Sequence, residues 1–135
     1  MSVGAGRFGR MVHSVERLHV VTDVHDHMVE LRPVGEIDIA SVTAFRAALW
    51  AAPARPVLRV DLSGVRLLSA AGVRALVATH LRVRARGGEL VLTDPDPVVA
   101  RVLRVTGLHR VVPVRCSDRT PDLPGRTREL VACAA

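Results

Sequence analysis

The stretch from Val60 to Val77, VDLSGVRLLSAAGVRALV, organises the rest of this chain. It continues an apolar, mostly β-branched run that starts at Val57 and is typical of a buried strand. Turn-forming residues follow from Asp61 to Gly64 and predict the end of that strand. Ser69 then precedes an apolar run at helical spacing, so its hydroxyl can accept from an otherwise unpaired amide of the first helical turn. The stretch therefore predicts a central strand, a loop and a helix capped by Ser69.

The residues before this stretch predict a β-hairpin. One strand begins at Leu18, and the polar residues 23–27 form the turn. Residues 28–34 alternate between polar and apolar side chains, which indicates a second strand with one solvated face. We expect the buried side of this second strand to hold Val29, Leu31 and Val34.

The segment Gly35-Glu36-Ile37-Asp38 leads from the hairpin into a first helix. Ser41 is the predicted N-cap of this helix, and Asp38 is the alternative. The helix should end before Pro53, because a residue that precedes proline avoids helical backbone angles. Its apolar face would hold Val42, Phe45, Ala48 and Leu49.

Two further helices and one strand are predicted after the central strand. The helix that begins at Ser69 should end at the glycine pair 87–88, and residues 90–92 form the next strand. Asp96, followed by proline, predicts the start of a third helix, which Gly107 closes. The predicted buried faces are Val73, Leu76, Val77, His80 and Leu81 in the second helix, and Val98, Val99, Val102, Leu103 and Val105 in the third.

This alternation predicts an α/β fold: a single domain over residues 16–114, with a mixed sheet, an N-terminal hairpin, α/β crossovers and helices packed on the sheet. Residues 111–114 would form a short edge strand, since they include a proline. We expect residues 1–15 to be a disordered leader. Residues 115–135 are predicted to be a disordered tail, in which Leu130-Val131 could dock locally.

Composition narrows the classes of function. The chain has 135 residues, 49% of them hydrophobic, and a net charge of +6 that comes from nineteen arginines spread along its length. Scattered charge without aromatic stacking platforms argues against a nucleic-acid partner. No run approaches the roughly 18 apolar residues of a membrane span, and the N-terminus lacks the apolar core of a signal peptide. We therefore expect a cytoplasmic protein without a membrane partner.

No catalytic, cofactor or metal site is predicted. His25 and His27 alternate as two metal ligands would, but no third ligand accompanies them, so a solvated turn is the simpler interpretation. His80 lies on the apolar face of its helix and is expected to be a core or rim residue. Cys116 and Cys133 both lie in the predicted tail and are interpreted as free thiols. The chain is therefore expected not to be an enzyme.

Four motifs in order resemble those of the STAS domain family, the bacterial anti-sigma factor antagonists. The resemblance covers residues 18–114, and the four motifs are VGEID at 34–38, DLSGV followed by SAAGVRAL at 61–76, GGELVL at 87–92 and LRVTGL at 103–108. It implies a protein that binds an anti-sigma factor and thereby releases a sigma factor for transcription. The implied partner is a serine kinase with a histidine-kinase-like ATPase fold, and a serine phosphatase is a further implied partner.

The family's switch motif reads D-S-S-G, and its first serine is phosphorylated by the anti-sigma factor. This chain has Ser69-Ala70-Ala71-Gly72 there, so Ser69 stands at the aspartate position and Ala70 at the acceptor position. Phosphate adds about −1.5 to −2 charges at a docking surface, which opposes binding. Because alanine cannot be phosphorylated, Ser69 is the one phosphorylation candidate left in the motif.

Several interpretations of this departure stay open. Ser69 could be the acceptor, one position early, or only a helix cap. The domain could bind its partner without a phosphorylation brake, scaffold a signalling complex, or bind an anion or small molecule at its helix N-termini. Partners of such sheets meet the carboxyl ends of the strands, a rim that would carry Asp38, Ser63, Ser69 and Asp94. The predicted partner-binding residues are Glu36, Asp38, Ser63, Ser69, Ala70, Ala71, Gly72 and Arg74.

Overall fold

A computed structural model describes residues 7–116 of the chain. Seven strands and three α-helices alternate in this part of the molecule, and one 3-10 turn at Leu108–Arg110 follows the last helix. The elements are β1 (Arg7–Val15), β2 (Leu18–His25), β3 (Met28–Ile37), α1 (Val42–Ala51), β4 (Val57–Asp61), β5 (Gly64–Leu68), α2 (Ala70–Ala85), β6 (Glu89–Thr93), α3 (Pro97–Thr106) and β7 (Val114–Arg115).

All seven strands belong to one mixed sheet, which confirms the predicted sheet type. The strand order is β1-β2-β3-β4-β6-β7, with β1, β2 and β3 antiparallel and the later strands parallel to β3. β5 lies off this path, because β4 pairs with the first half of β3 and β5 pairs with its second half. The fold is therefore a single α/β domain.

The helices cover one face of the sheet. Phe45 of α1, Leu76 of α2 and Leu103 of α3 are fully buried, and they share one core cluster with the inward side chains of the strands. In β3 that inward set is Val29 and Leu31, while the alternating polar residues face the other side. The opposite face of the sheet, which we call the open face, carries no helix among residues 7–116.

The open face carries charged side chains, and those of its central strands are paired. Asp23, whose side chain is 7% exposed, lies between Arg10 at 2.8 Å and Arg32 at 3.4 Å. Arg59 of β4 contacts Glu30 of β3 at 2.8 Å. The hydrogen bond and the charge of Asp23 raise the pKa of Arg10, so this guanidinium stays protonated. A shallow groove of about 630 Å³ runs along this face over β3, β4, β6 and β7.

Two strands were not predicted. The expected disordered leader is wrong over residues 7–15, which form β1 and pair with β2; residues 1–6 lie outside the described part. The expected loop between the central strand and its helix is also largely wrong, because it contains β5. The short β5 has only two buried residues, Val65 and Leu68, and thus lacks the strict alternation that marks a strand in sequence.

Several expected buried faces shift by one or two residues. Val34 is exposed, and Pro33 is buried in its place. Leu81 of α2 is exposed, whereas Ala75, Thr79 and Val83 are buried. Val98 and Val105 of α3 also face outward, and Ala100 takes a core position. In the two helices, the side that faces the sheet depends on how the helix is rotated about its axis, which several apolar spacings allow.

The ends of the chain differ from expectation in two further ways. The edge strand is confirmed, but it is shorter than predicted: Val114–Arg115, after a 3-10 turn. Cys116, expected to be a free thiol, is disulfide-bonded, so its sulfur does not titrate. Cys133, Leu130-Val131 and the rest of the predicted tail from residue 117 lie outside the described residues.

Candidate functional site

The carboxyl ends of the parallel strands do not form the single rim that the sequence predicts. Asp38 follows β3 and Ser69 follows β5, and the Ser69 amide donates to the carbonyl of Ile37 at 2.9 Å, which joins these two ends. Ser63 instead precedes β5. It follows the end of β4, next to the end of β6 where Asp94 lies, because Asp61 pairs with Thr93. The five residues of β5 lie between Ser63 and Ser69, so six residue steps separate the two serines, roughly 20 Å at about 3.3 Å per residue.

The loop after β3 is fixed by a close backbone approach. Gly35 has a φ of +123°, and a Cβ there would lie 2.1 Å from the carbonyl oxygen of Arg17 in the β1–β2 turn. Glycine is therefore required at this position. The same carbonyl accepts from the amide of Glu36 at 3.0 Å, which holds the end of β3 against the turn. Arg17 also reaches Asp38 at 3.1 Å and Glu36 at 3.8 Å.

Asp38 organises the connection from β3 to α1. Its carboxylate accepts from the amides of Ala40 and Ser41 at 3.0 Å and 2.9 Å. Desolvation acts to raise the pKa of Asp38, but the hydrogen bonds from Ser41, Arg17 and Ala40 outweigh it and lower the pKa below its usual value. Asp38 is thus ionised and used inside its own loop, which supports the turn-making role.

Ser41 occupies the N-cap position of α1, but its hydroxyl makes no capping bond to the helix. It donates to the carbonyl of Glu36 at 2.6 Å and accepts from the amide of Asp38 at 3.0 Å. The prediction of Ser41 as a side-chain cap is therefore wrong in its bonding. The buried hydroxyl instead ties the start of α1 back onto the end of β3, because Glu36 belongs to β3 and Asp38 directly follows it.

The start of α2 agrees with the sequence. The hydroxyl of Ser69 accepts from the amide of Gly72 at 3.2 Å, which confirms Ser69 as the N-cap. Gly72 is buried, and a Cβ there would approach the side chains of Leu68 and Ile37 within 2.8 Å. This contact lets α2 begin close to the end of β3. Ala70, at the family's acceptor position, is exposed as a result.

These segments form one surface, which we call the β3–α2 rim: Glu36, Asp38, Ile39, Ser69, Ala70, Ala71 and Arg74. Ile39 was missed by sequence reasoning although it is 83% exposed, the most exposed of the large hydrophobic side chains described. The available signal was a lone isoleucine in the polar loop before a helix. Ile39 thus places an exposed apolar side chain in the loop that joins the end of β3 to α1, beside the start of α2. Ser63, which is exposed, lies away from this rim, and its amide donates to Asp61 in a turn at 2.9 Å.

The described residues offer no metal centre. No group of three His, Cys, Asp or Glu side chains between residues 7 and 116 is arranged to hold a metal ion. His25 ends β2 and His27 lies in the hairpin turn. His80 is buried in α2, as predicted. None of the helices over this range has the length and hydropathy that crossing a bilayer requires.

Comparison with known proteins identifies the family. A family model described as "Mlab, STAS domain" matches residues 20–113. Rv2638 of Mycobacterium tuberculosis, named as a candidate anti-anti-sigma factor, is 30% identical over 113 residues, covering 78% of this chain and 76% of that protein. The anti-sigma-F factor antagonist RsfA of the same species is 32% identical over 94 residues, covering 67% and 73%.

A solved structure agrees with these relatives. An anti-sigma factor antagonist from Mycobacterium paratuberculosis superposes with a TM-score of 0.68 at 27% identity, over 82% of this chain and 92% of that one. Residues 20–113, which the family model matches, include the central strand β4, β5 and the start of α2. This chain belongs to the STAS domain family.

Proposed function

We propose that this protein is an anti-sigma factor antagonist that binds its anti-sigma factor through the β3–α2 rim. The observation that carries the proposal is the hydrogen bond from the Ser69 amide to the Ile37 carbonyl, because it fixes the exposed Ile39 loop beside the first turn of α2. Relatives named as antagonists and a similar antagonist structure support the same function. The partner would be a kinase-type anti-sigma factor with a histidine-kinase-like ATPase fold, and binding would release a sigma factor.

We further propose that binding is not switched by phosphorylation at the family's usual position. Ala70 holds that position and has no hydroxyl. Ser69 is the neighbouring candidate, but it is half-buried, and its hydroxyl accepts the capping bond from Gly72. This capping bond directs the hydroxyl oxygen toward the first turn of its own helix and occupies one of its two lone pairs. Constitutive binding, regulated by the amount of protein, is thus the simpler arrangement.

The binding test uses isothermal titration calorimetry against purified anti-sigma factors from the source organism, with and without ATP. Ile39→Asp should weaken binding at least about tenfold, because it places an unpaired charge in the docking surface. Val98→Asp is the matched control, because Val98, like Ile39, is an exposed β-branched apolar residue but lies on α3. Equal losses in both variants, or no binding to any anti-sigma factor, would contradict the proposal.

The phosphorylation test uses intact-mass spectrometry after incubation with the anti-sigma factor and ATP. The expected result is no added phosphate on the wild-type protein. One phosphate that disappears in Ser69→Ala would mean that the acceptor has moved by one residue and that a serine phosphatase is needed to reset it. That result would overturn constitutive binding while leaving antagonism intact.

A further inference from the structure

The three helices carry charge of one sign only. Arginine occurs once in α1, three times in α2 and twice in α3, six in all, and none of the helices contains an aspartate or a glutamate. Because all three helices cover the same face of the sheet, these arginines form one basic layer. The even spread of arginine along the sequence hides this arrangement, because the acidic residues between positions 7 and 116 lie in strands and loops.

The helical arginines are not neutralised inside the described molecule. The ion pairs seen within residues 7–116 use arginines of the sheet or of the β1–β2 turn, and none of the six helical arginines pairs with a carboxylate of this range. Arg82 stacks on Trp50 of α1 at 4.8 Å from the ring centre, which orders the side chain without cancelling its charge. A layer of unpaired like charges destabilises the free protein slightly, and an anionic partner relieves that repulsion.

One groove concentrates this charge next to the β3–α2 rim. It lies between α1 and α2, has a volume of about 290 Å³, and is bordered by the exposed Arg46 and Arg74. Neither guanidinium has an ion-pair partner among the described residues. Small apolar side chains line the rest of the groove: Val42, Ala71, Ala75 and Ala78. Ala71 belongs to the rim as well, so the two surfaces are continuous.

We propose that this arginine groove binds an acidic helical segment of the protein partner, whose carboxylates pair with Arg46 and Arg74. The inference rests on the proposed function for the identity of the partner, and it adds the chemistry of the partner's surface. A groove with an apolar floor and two cationic borders suits an amphipathic helix. The apolar side of that helix would enter the groove, and its acidic residues would lie beside the two arginines. Arginine forms bidentate pairs with carboxylates, which adds orientation to the attraction.

A protein partner fits this groove better than a nucleic acid does. Single strands need aromatic platforms for stacking, and of the two aromatic side chains described, Phe45 is buried and one ring face of Trp50 is occupied by Arg82. The exposed apolar residues on the same layer, such as Leu81, also favour a protein surface over a phosphate backbone. A nucleic acid and a second copy of this chain are the alternatives that the experiment must separate.

The test uses a fluorescein-labelled peptide of about 20 residues with alanine and glutamate at helical spacing, and a second peptide with glutamine for glutamate. Affinity is measured by fluorescence anisotropy on the full chain at about 50 mM and about 300 mM salt. The groove variant is Arg46→Glu/Arg74→Glu. The control, Arg101→Glu/Arg104→Glu, reverses two exposed arginines of α3, so both proteins fall from a formal +6 to +2.

We expect the glutamate peptide to bind more tightly than the glutamine peptide, and more weakly at high salt. The groove variant should lose at least about tenfold in affinity, and the control no more than about threefold. Equal losses in the two variants would overturn the proposal, because they would reflect net charge alone. Tighter binding of a 20-nucleotide RNA, or self-association in analytical ultracentrifugation that the groove variant removes, would overturn it as well.

Titrations of the groove variant and of Ile39→Asp against the anti-sigma factor separate this inference from the proposed function. If Ile39→Asp abolishes binding and the groove variant leaves affinity and salt dependence unchanged, antagonism stands and the groove proposal fails. If the anti-sigma factor does not bind the wild-type protein but the glutamate peptide binds in the groove, antagonism fails and the groove proposal stands.

Discussion

The open face of the sheet and the outer side of the helices use the same residue in opposite ways. On the open face Arg10 and Arg32 pair with Asp23, and Arg59 pairs with Glu30. On the helices six arginines have no acidic neighbour in their own elements. These five side chains of the open face therefore satisfy their charges within the molecule, while the helical layer keeps its charges available for a partner.

This difference separates stability from recognition. Adjacent strands bring opposite charges directly opposite each other, so sheet arginines can contribute to folding. A helix without acidic residues has no such neighbours at three or four positions along the chain, so its arginines contribute little to folding. We expect substitutions on the open face to change the free energy of unfolding, and substitutions on the outer helical side to change binding.

The largest effect should come from the inner side of the helical layer. Phe45 is fully buried, and the next residue, Arg46, is exposed. Phe45→Ala should lower the free energy of unfolding by about 3–5 kcal/mol, because it leaves a cavity in the core. Arg46→Ala should change it by less than about 0.5 kcal/mol. Urea unfolding followed by circular dichroism measures both, and similar losses in the two variants would break the distinction between the inner and outer sides.

The next effect tests the paired charges of the open face. Asp23→Asn removes the carboxylate between two arginines at a site that is nearly buried, so we expect a loss of about 1–3 kcal/mol. Glu89→Gln is the control, since Glu89 is exposed on the same face, and it should stay within about 0.5 kcal/mol. If Asp23→Asn left the free energy of unfolding unchanged in the same urea titration, the pairing would not stabilise this face.

A smaller effect belongs to the cap of α2. Ser69→Ala removes the bond from the Gly72 amide and should cost about 1 kcal/mol. Ser63→Ala is matched in chemistry but lies on an exposed turn, and we expect almost no change. Differential scanning calorimetry should show a lower Tm for the first variant only. Equal Tm values would show that the serine at position 69 is not retained for capping, which would favour a role in docking.

The smallest effect is the pH dependence of the rim. The pKa of Asp38 is lowered in the folded state, so its ionised form is favoured by folding. Asp38 therefore contributes fully to the free energy of unfolding above its unfolded pKa, about 3.9. This stabilisation is lost as the pH falls through the lower pKa of the folded state. The stability difference between wild type and Asp38→Asn should therefore be constant from pH 7 to about 5 and shrink below about 4. A difference that grows on acidification would contradict the hydrogen-bonded network around Asp38.

Local chemistry explains which features of the fold and site were predictable. The structure confirms the N-caps of α2 and α3 and the glycines that end these helices. These features were predictable because each depends only on residues within about one helical turn. β5 was not predictable, because its pairing depends on the second half of β3, about thirty residues earlier in the chain. Ser63 was grouped with Ser69 for the same reason: without β5, nothing separates them.

The sequence by itself determined the α/β class, the family resemblance and the loss of a hydroxyl at position 70, since these depend on residue identity and order. Tertiary structure alone decided that Ile39 is exposed beside the Ser69 turn and that β5 divides the predicted rim. It also placed the helical arginines on one side and paired the others across the sheet. Charge and burial depend on which distant residues become neighbours, and only the folded chain fixes those neighbours.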